Sequence, residues 1–167
     1  MGLQVVGCGG AALRYRARMT RHDYEQALLR ILDQHADAAG EKLRALIAAL
    51  PPKAREIHIA IFPDQDGTGT FSIVASLDGP DLYVLNRAIE PHRNLFEVVY
   101  TETGLEPEVP TFASHQTAFD VQDVIVDTAM GWVETLWNRC ARGHSPLPGL
   151  VYGEEGYGQR EPIALAA

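Results

Sequence analysis

The chain has 167 residues, which is enough for one domain with its own hydrophobic core. Its net charge is −8, but residues 1–19 carry three arginines and no acid, so residues 20–167 hold 11 basic and 22 acidic residues, a net charge of −11. An acidic body repels phosphate backbones and attracts basic surfaces. We therefore expect no nucleic acid as partner. The negative charge serves either solubility alone or the encounter with a basic protein partner.

Cysteine content and hydropathy indicate the compartment. The two cysteines, Cys8 and Cys140, are too few for a disulfide framework, which is typical of the reducing cytoplasm. No apolar run approaches the roughly 18 residues of a membrane span, and residues 1–19 lack a signal-peptide pattern. A cytoplasmic location without membrane contact is predicted.

Residues 1–18 are predicted to be a leader, flexible or dispensable, ahead of a single domain over residues 19–167. The sequence GCGGAA at residues 7–12 follows a strand-like stretch at residues 3–6 and imitates a dinucleotide-binding turn. That motif requires a βαβ unit, whereas a long helical pattern follows here. No nucleotide or other cofactor is therefore expected.

A helical pattern of apolar residues follows, with Thr20 as a suitable N-cap. It predicts one long helix over residues 20–50, bent at Gly40, or two helices in line. The Pro-Pro pair at residues 51–52 ends the pattern. His35 lies on the apolar stripe without a second metal donor at helical spacing, so we expect it to be a partly buried packing residue.

Residues 56–86 alternate between apolar and polar side chains and indicate three short strands joined by two turns. The third strand is placed at the apolar run 82–85, and a fourth at residues 95–101. Residues 102–118 are predicted to be an ordered loop without a regular element. The fold class is therefore α+β, with an antiparallel β-meander of four or more strands.

Asp120 is predicted to cap a second long helix, which contains Trp132 and Trp137 and ends at Gly143. Apolar residues cover most of its circumference, so we expect it to be largely buried. Both long helices are predicted to pack on one face of the meander. The tail, residues 144–167, is predicted to form a terminal hairpin or an edge strand.

Asp64 and Asp66 are the candidate metal ligands, because with Thr68 they match the first positions of a calcium-binding loop. Ala75 stands where that loop needs a bidentate glutamate, so ordinary turn chemistry is favoured and no metal is expected. The carboxylates of the next turn, at residues 78–81, are predicted to lie about 25 Å away at the other end of the meander.

Asp123 and Asp127 are the candidate catalytic carboxylates, since a spacing of four residues places both on one helix face. They could equally form a solvated stripe or pair with arginines. His92, with Glu90 and Arg93, is the candidate catalytic partner for them in a polar cleft. The chain has no zinc-ligand spacing, no nucleophile elbow and no P-loop, so an enzyme is not favoured.

The segments DQDGTGTFSIVASLDGPDLYVLN, from residue 64, and FDVQDVIVDTAMGWVETLW, from residue 119, resemble a family of small uncharacterised bacterial domains over residues 20–160. The resemblance implies a fold and a bacterial origin, and no activity. The layout of a long helix, a meander and a tryptophan-containing helix in an acidic body is also similar to immunity proteins that neutralise secreted toxins.

The sequence therefore favours a protein-binding module, immunity or regulatory, with an acidic surface. The alternative is a small enzyme or ligand-binding domain that uses acidic residues and His92 in a polar cleft. The oligomeric state is left open.

Overall fold

The computed structural model of the protein describes residues 19–113 and 116–167. The strand-like stretch and the glycine-rich turn of the leader lie outside the described residues. The described helices are α1 (Arg21–Gln34), α2 (Ala36–Ala48), α3 (Leu82–Ala88) and α4 (Val121–Cys140), with 3₁₀ turns at Glu90–His92 and Glu154–Gly156. The strands are β1 (Glu56–Pro63), β2 (Phe71–Asp78), β3 (Asn94–Glu97), β4 (Val99–Thr101), β5 (Gly104–Glu106), β6 (Gly149–Gly153) and β7 (Ile163–Leu165).

Five strands form one sheet in the order β3-β2-β1-β6-β7, and β4 pairs with β5 in a separate hairpin. The α+β class is confirmed, but the sheet is mixed and not wholly antiparallel, because β6 runs parallel to β1. α4 packs on β1 and β6 and returns the chain to the end of the sheet where β1 begins, so that Gly149 pairs with Ile57. A connection of this kind makes a parallel pair possible.

One face of the sheet forms the floor of the hydrophobic core. The buried side chains alternate along β1 and β2 as predicted, and Ile57 and Ile73 are fully buried. α4 covers β1, β6 and β7 on this face, while α2 packs against β3. The opposite face remains partly exposed, with Phe62 as its most open large side chain.

The prediction that residues 82–85 form the third strand of the meander is wrong, because these residues begin α3. Asp81 caps this helix by accepting a hydrogen bond from the backbone N–H of Val84. The Asn86 side chain then accepts from the N–H of Leu77 at 2.9 Å and donates to its carbonyl oxygen at 3.3 Å. A side-chain amide thus pairs with β2 at Leu77, beyond Ser72–Val74, where β3 pairs with it.

Of the two arrangements predicted for residues 20–50, the structure has two consecutive helices, α1 and α2, which meet at His35. The Nδ1 atom of His35 lies 2.8 Å from the carbonyl oxygen of Ile31, and its ring packs edge-on against Phe96. Gly40 does not mark the break. It allows α2 to approach α4, since a Cβ atom there would lie 2.9 Å from the sulfur of Cys140.

The predicted strand at residues 95–101 is divided between two sheets. Val98 donates its N–H to the carbonyl oxygen of Phe71, and the chain then leaves β2. β4 continues into a hairpin with β5, which lies within the stretch predicted to be a loop.

α4 is the central helix, and Asp120 caps it by accepting a hydrogen bond from Asp123 N–H. Trp132 and Trp137 are both buried. The predicted terminal hairpin is confirmed, since β7 pairs antiparallel with β6 and forms the sheet edge. None of the helices in the described part of the chain is long and apolar enough to cross a membrane.

Candidate functional site

Two neighbouring hollows open where α1 packs along α4. The first, the Met19 cleft, has a volume of about 580 Å³. It is lined by the start of α1, by the segment that leads into α4 and by one residue of the tail: Met19, Thr20, Arg21, residues 116–120, Asp123 and Gln159. Thr20 and Asp120, the N-caps of α1 and α4, both lie in its wall. The cleft therefore lies where the two helices begin.

The second hollow, the α1–α4 groove, runs between the two helices and has a volume of about 490 Å³. α1 contributes Glu25, Gln26, Leu29 and Asp33, α4 contributes Asp127, Thr128, Gly131, Trp132 and Thr135, and the tail contributes Arg160. Leu29 and Trp132 supply apolar surface, and the other side chains are mostly polar.

Carboxylates outnumber cationic groups in the described lining of the two hollows. Asp120 and Asp123 line the Met19 cleft, and Glu25, Asp33 and Asp127 line the groove. The only guanidinium groups among the described lining residues are those of Arg21 and Arg160, which leaves a local net charge of −3. Carboxylates concentrated in a hollow produce a negative potential that attracts cationic groups.

Asp123 and Asp127 lie on one face of α4, as the sequence predicts, and both hold the tail. Asp123 accepts a hydrogen bond from the N–H of Gly158 at 2.8 Å. One Asp127 oxygen accepts from the N–H groups of Gln159 and Arg160, at 2.9 and 3.0 Å. The sequence contains no local signal for this contact, because more than thirty residues separate the partners.

The remaining groove carboxylates differ in their contacts. Glu25 accepts a hydrogen bond from Nε of Arg21 at 3.0 Å, and the same guanidinium lies 3.6 Å from Asp127. Asp33 is exposed and forms no ion pair with another described residue. Asp33 is therefore the groove carboxylate that an incoming cation can reach without displacing an existing partner.

His92, Glu90 and Arg93 lie away from both hollows. Their 3₁₀ turn packs against α2, and the Arg93 guanidinium donates to Glu90 at 3.1 Å and to the carbonyl oxygen of Ala75 at 3.0 Å. Asp123 and Asp127 bind the tail instead. The structure thus does not bring the candidate catalytic residues into one cleft.

Asp64, the first candidate metal ligand, organises its own loop. Its carboxylate accepts hydrogen bonds from the N–H groups of Thr68, Gly69 and Thr70, at 2.9, 3.0 and 3.0 Å. Gln122 of α4 donates to the Asp64 carbonyl oxygen at 2.8 Å and fixes the loop beside the helix. The other candidate, Asp66, lies in the same loop.

The Asp64 loop and the acidic turn at residues 78–81 lie at opposite ends of the β1–β2 hairpin, as predicted. Pro63 pairs with Phe71 next to the Asp64 loop, and Glu56 pairs with Asp78 at the other end. Within residues 19–113 and 116–167, no three His, Cys, Asp or Glu side chains are grouped so that they could hold a metal ion.

Hydrogen bonding sets the charge state of Asp64. Burial alone would raise the pKa of this carboxyl, but the N–H donors of Thr68, Gly69 and Thr70 together lower the pKa below its ordinary value of 3.8. A lowered folded-state pKa stabilises the fold above the ordinary pKa, and this stabilisation is lost as the pH falls through the folded-state value.

We therefore expect Asp64→Asn to lower the free energy of unfolding at pH 7 by about 1–3 kcal/mol, because loop N–H groups lose their charged acceptor. Acid should destabilise this variant less than the wild type below about pH 4. Urea unfolding at pH 7 and pH 3 measures both effects. The control is Asp33→Asn, which removes an exposed carboxylate and should stay within about 0.5 kcal/mol of wild type. Equal losses in the two variants would contradict this role of Asp64.

The chain belongs to a family of unknown function, DUF6389, whose family model matches residues 19–167. The match starts at Met19, so it includes both hollows and leaves out residues 1–18. Comparison with curated proteins gave no match, and neither did comparison with solved structures.

Proposed function

We propose that this protein is a protein-binding module, immunity or regulatory in role, that receives a basic segment of its partner in the α1–α4 groove. The composition of the groove carries the proposal. Glu25, Asp33 and Asp127 line it together with Leu29 and with the small part of the buried Trp132 ring that reaches the surface. Carboxylates next to apolar surface suit the long basic side chains of another protein.

The charge of the whole body supports the same kind of partner. Residues 20–167 carry a net charge of −11. Such a field accelerates the encounter with a basic protein, and the effect weakens as the salt concentration rises. The groove concentrates this field in a place where arginine or lysine side chains can also contact apolar surface.

The alternative, a ligand-binding domain, is supported by the Met19 cleft, whose volume lies in the range of small-molecule sites. Its polar lining includes Gln116, Thr117, Asp120 and Asp123. Three of these already have partners, since Thr117 donates to the Phe119 carbonyl oxygen, Asp120 caps α4 and Asp123 is bound to the tail. His92 does not contribute to this cleft, so the ligand would be recognised without it.

The two carboxylates that hold the tail are poor targets for charge reversal, because lysine at position 123 or 127 would release residues 158–160. Asp33→Lys changes the groove without breaking an ion pair to a described residue. Glu102→Lys is the matched control. It makes the same charge change on an exposed residue between β4 and β5.

Affinity capture from the native cell with tagged wild type, Asp33→Lys and Glu102→Lys tests the proposal. We expect a basic protein to be retained by the wild type and by Glu102→Lys, about three- to tenfold less by Asp33→Lys, and less by all three at high salt. A partner retained equally by the three proteins, or indifferent to salt, would contradict binding in the groove. Capture of a small molecule alone would favour the alternative.

A further inference from the structure

We propose that a second copy of this chain covers the open face of the five-stranded sheet, so that the protein is a reversible dimer that carries two α1–α4 grooves. The open face is the side of the sheet that points away from α4. By the strand registers it consists of residues 58, 60 and 62 of β1, residues 72, 74 and 76 of β2, and residues 150 and 152 of β6. This assembly goes beyond the proposed function and does not depend on it.

The open face is an apolar layer of its own. Ala60 is only 4% exposed, yet it lies outside the continuous core cluster that the described helices form with the other face. Val74 and Tyr152 flank it on the neighbouring strands and are partly buried, and Phe62 is 42% exposed. This layer is therefore the apolar surface of the sheet that association can still bury.

The strand pairing also favours a second cover. β1 and β6 are parallel, and parallel strands are usually covered on both faces. Here α4 packs on one face of the pair. Leu150 beside His58 and Tyr152 beside Ala60 lie on the other face. A second layer over these two strands would give them the cover that parallel strands normally have.

The distribution of charge selects a second copy as the occupant. The chain has 22 acidic residues, but the eight positions of the open face contain no Asp, Glu, Lys or Arg. Carboxylates stand at its ends, where Glu56 pairs with Asp78 and Glu97 pairs with Ser72. A basic partner gains little from an uncharged surface, whereas another acidic copy meets the least repulsion here. The centres of interfaces are likewise depleted of charge and rich in aromatic residues.

The shape of the face suits two-fold symmetry, in which the same surface must supply both the projection and the hollow. Phe62 is the projection. The small side chains of Ala60, Ser72 and Ser76 leave low ground on the same face. Two such sheets can stack face to face at the usual separation of about 10 Å.

The area of the face predicts a weak dimer. Five strands at about 4.8 Å each are about 24 Å wide, and the eight residues of β1 or β2 extend about 26 Å. The contact is therefore at most about 600 Å² per copy, or about 1,200 Å² in total, the lower limit for stable interfaces. The α1–α4 grooves lie on the helical side of the sheet and stay accessible. Two linked grooves would bind a partner with two basic segments more tightly than one groove does.

Sedimentation velocity on the full chain, from about 5 to about 500 µM, tests for the dimer. Reducing conditions keep Cys8 from linking the copies. We expect a dissociation constant of about 10–100 µM. The dimer should strengthen as the salt concentration rises, because salt screens the repulsion between two chains of net charge −8. Binding of a basic peptide in the groove should respond to salt in the opposite direction.

Phe62→Glu places a carboxylate in the open face and should raise the dissociation constant of the dimer at least about tenfold. Ser72→Glu keeps Phe62 and should have the same effect, so it replaces the first variant if that one does not fold. Tyr83→Glu is the matched control. It replaces an exposed aromatic residue of α3 and should change the dissociation constant less than about twofold. Amide shifts of the ¹⁵N-labelled chain on dilution should fall on residues 58–62, 72–76 and 150–152.

Three outcomes would overturn the dimer and leave groove binding intact. They are a monomer at every concentration, dilution shifts that fall on α3 or on β7, and equal weakening by Ser72→Glu and Tyr83→Glu. If the basic peptide RARARA shifted the amides of the open face and not those of the groove, that face would bind the basic ligand, and both proposals would fail. If RARARA did not bind at all while the dimer formed, the proposed function alone would be refuted.

Discussion

Replacing Trp137 by alanine is expected to lower the free energy of unfolding by about 3–5 kcal/mol, the usual loss for a buried aromatic side chain. The Trp137 side chain is 0% exposed. Its ring lies so close to β6 that a Cβ atom on Gly149 would be 3.0 Å from it. Its Nε1 donates a hydrogen bond to the carbonyl oxygen of Ala166 at 2.7 Å. Trp137 therefore joins α4 to β6 and to the residue that follows β7, and the urea midpoint of the variant measures its contribution.

Trp137→Phe is the matched control. It keeps an aromatic ring but removes the hydrogen bond to Ala166, so a smaller loss of about 1–3 kcal/mol is expected. If the alanine variant unfolded at the same urea concentration as the wild type, Trp137 could not be the contact that holds the tail against α4.

The second large effect is expected from Gly69→Ala. Gly69 has a φ of +113°, and a Cβ atom there would lie 2.5 Å from the carbonyl oxygen of Pro110. Alanine therefore adds backbone strain, about 1–3 kcal/mol, to a steric overlap with a neighbouring backbone. We expect a total loss of at least about 2 kcal/mol in the free energy of unfolding, measured by urea denaturation.

Gly104→Ala separates the two causes. Gly104 has a φ of +127°, but a Cβ atom there has no neighbour within 4 Å. This variant reports backbone strain alone, so it should lose less stability than Gly69→Ala. Equal losses would mean that the approach of Pro110 to the Asp64 loop contributes nothing.

Local sequence signals predict the parts of the fold that depend on neighbouring residues. Alternation along β1 and β2 follows from the two faces of a strand, and Thr20 and Asp120 cap their helices through donors three residues away. The run at residues 82–85 misleads because a short apolar run fits a strand or a helix equally well. The sequence also gives no sign that the Asn86 side chain bonds to the backbone of Leu77 in β2.

Contacts between distant segments could not be predicted. Ile57 pairs with Gly149, more than ninety residues away. The alternation of apolar and polar residues along each strand does not specify which strand lies beside it. The same is true of Asp123 and Asp127, whose spacing predicts a shared face but not the backbone groups that they hold. The groove was missed for this reason, since Asp33 and Trp132 meet only after α1 packs on α4.

The central claim is that the α1–α4 groove receives a basic segment. The most direct test is to titrate the ¹⁵N-labelled full chain with the basic peptide RARARA and to follow the amide shifts at two salt concentrations. We predict that the largest shifts fall on residues 25–33 and 127–135 and that the dissociation constant rises with salt. Asp33→Lys should weaken binding about three- to tenfold, and Glu102→Lys less than about twofold. Largest shifts on α3 or on the open face of the sheet, or equal weakening by the two variants, would contradict the claim.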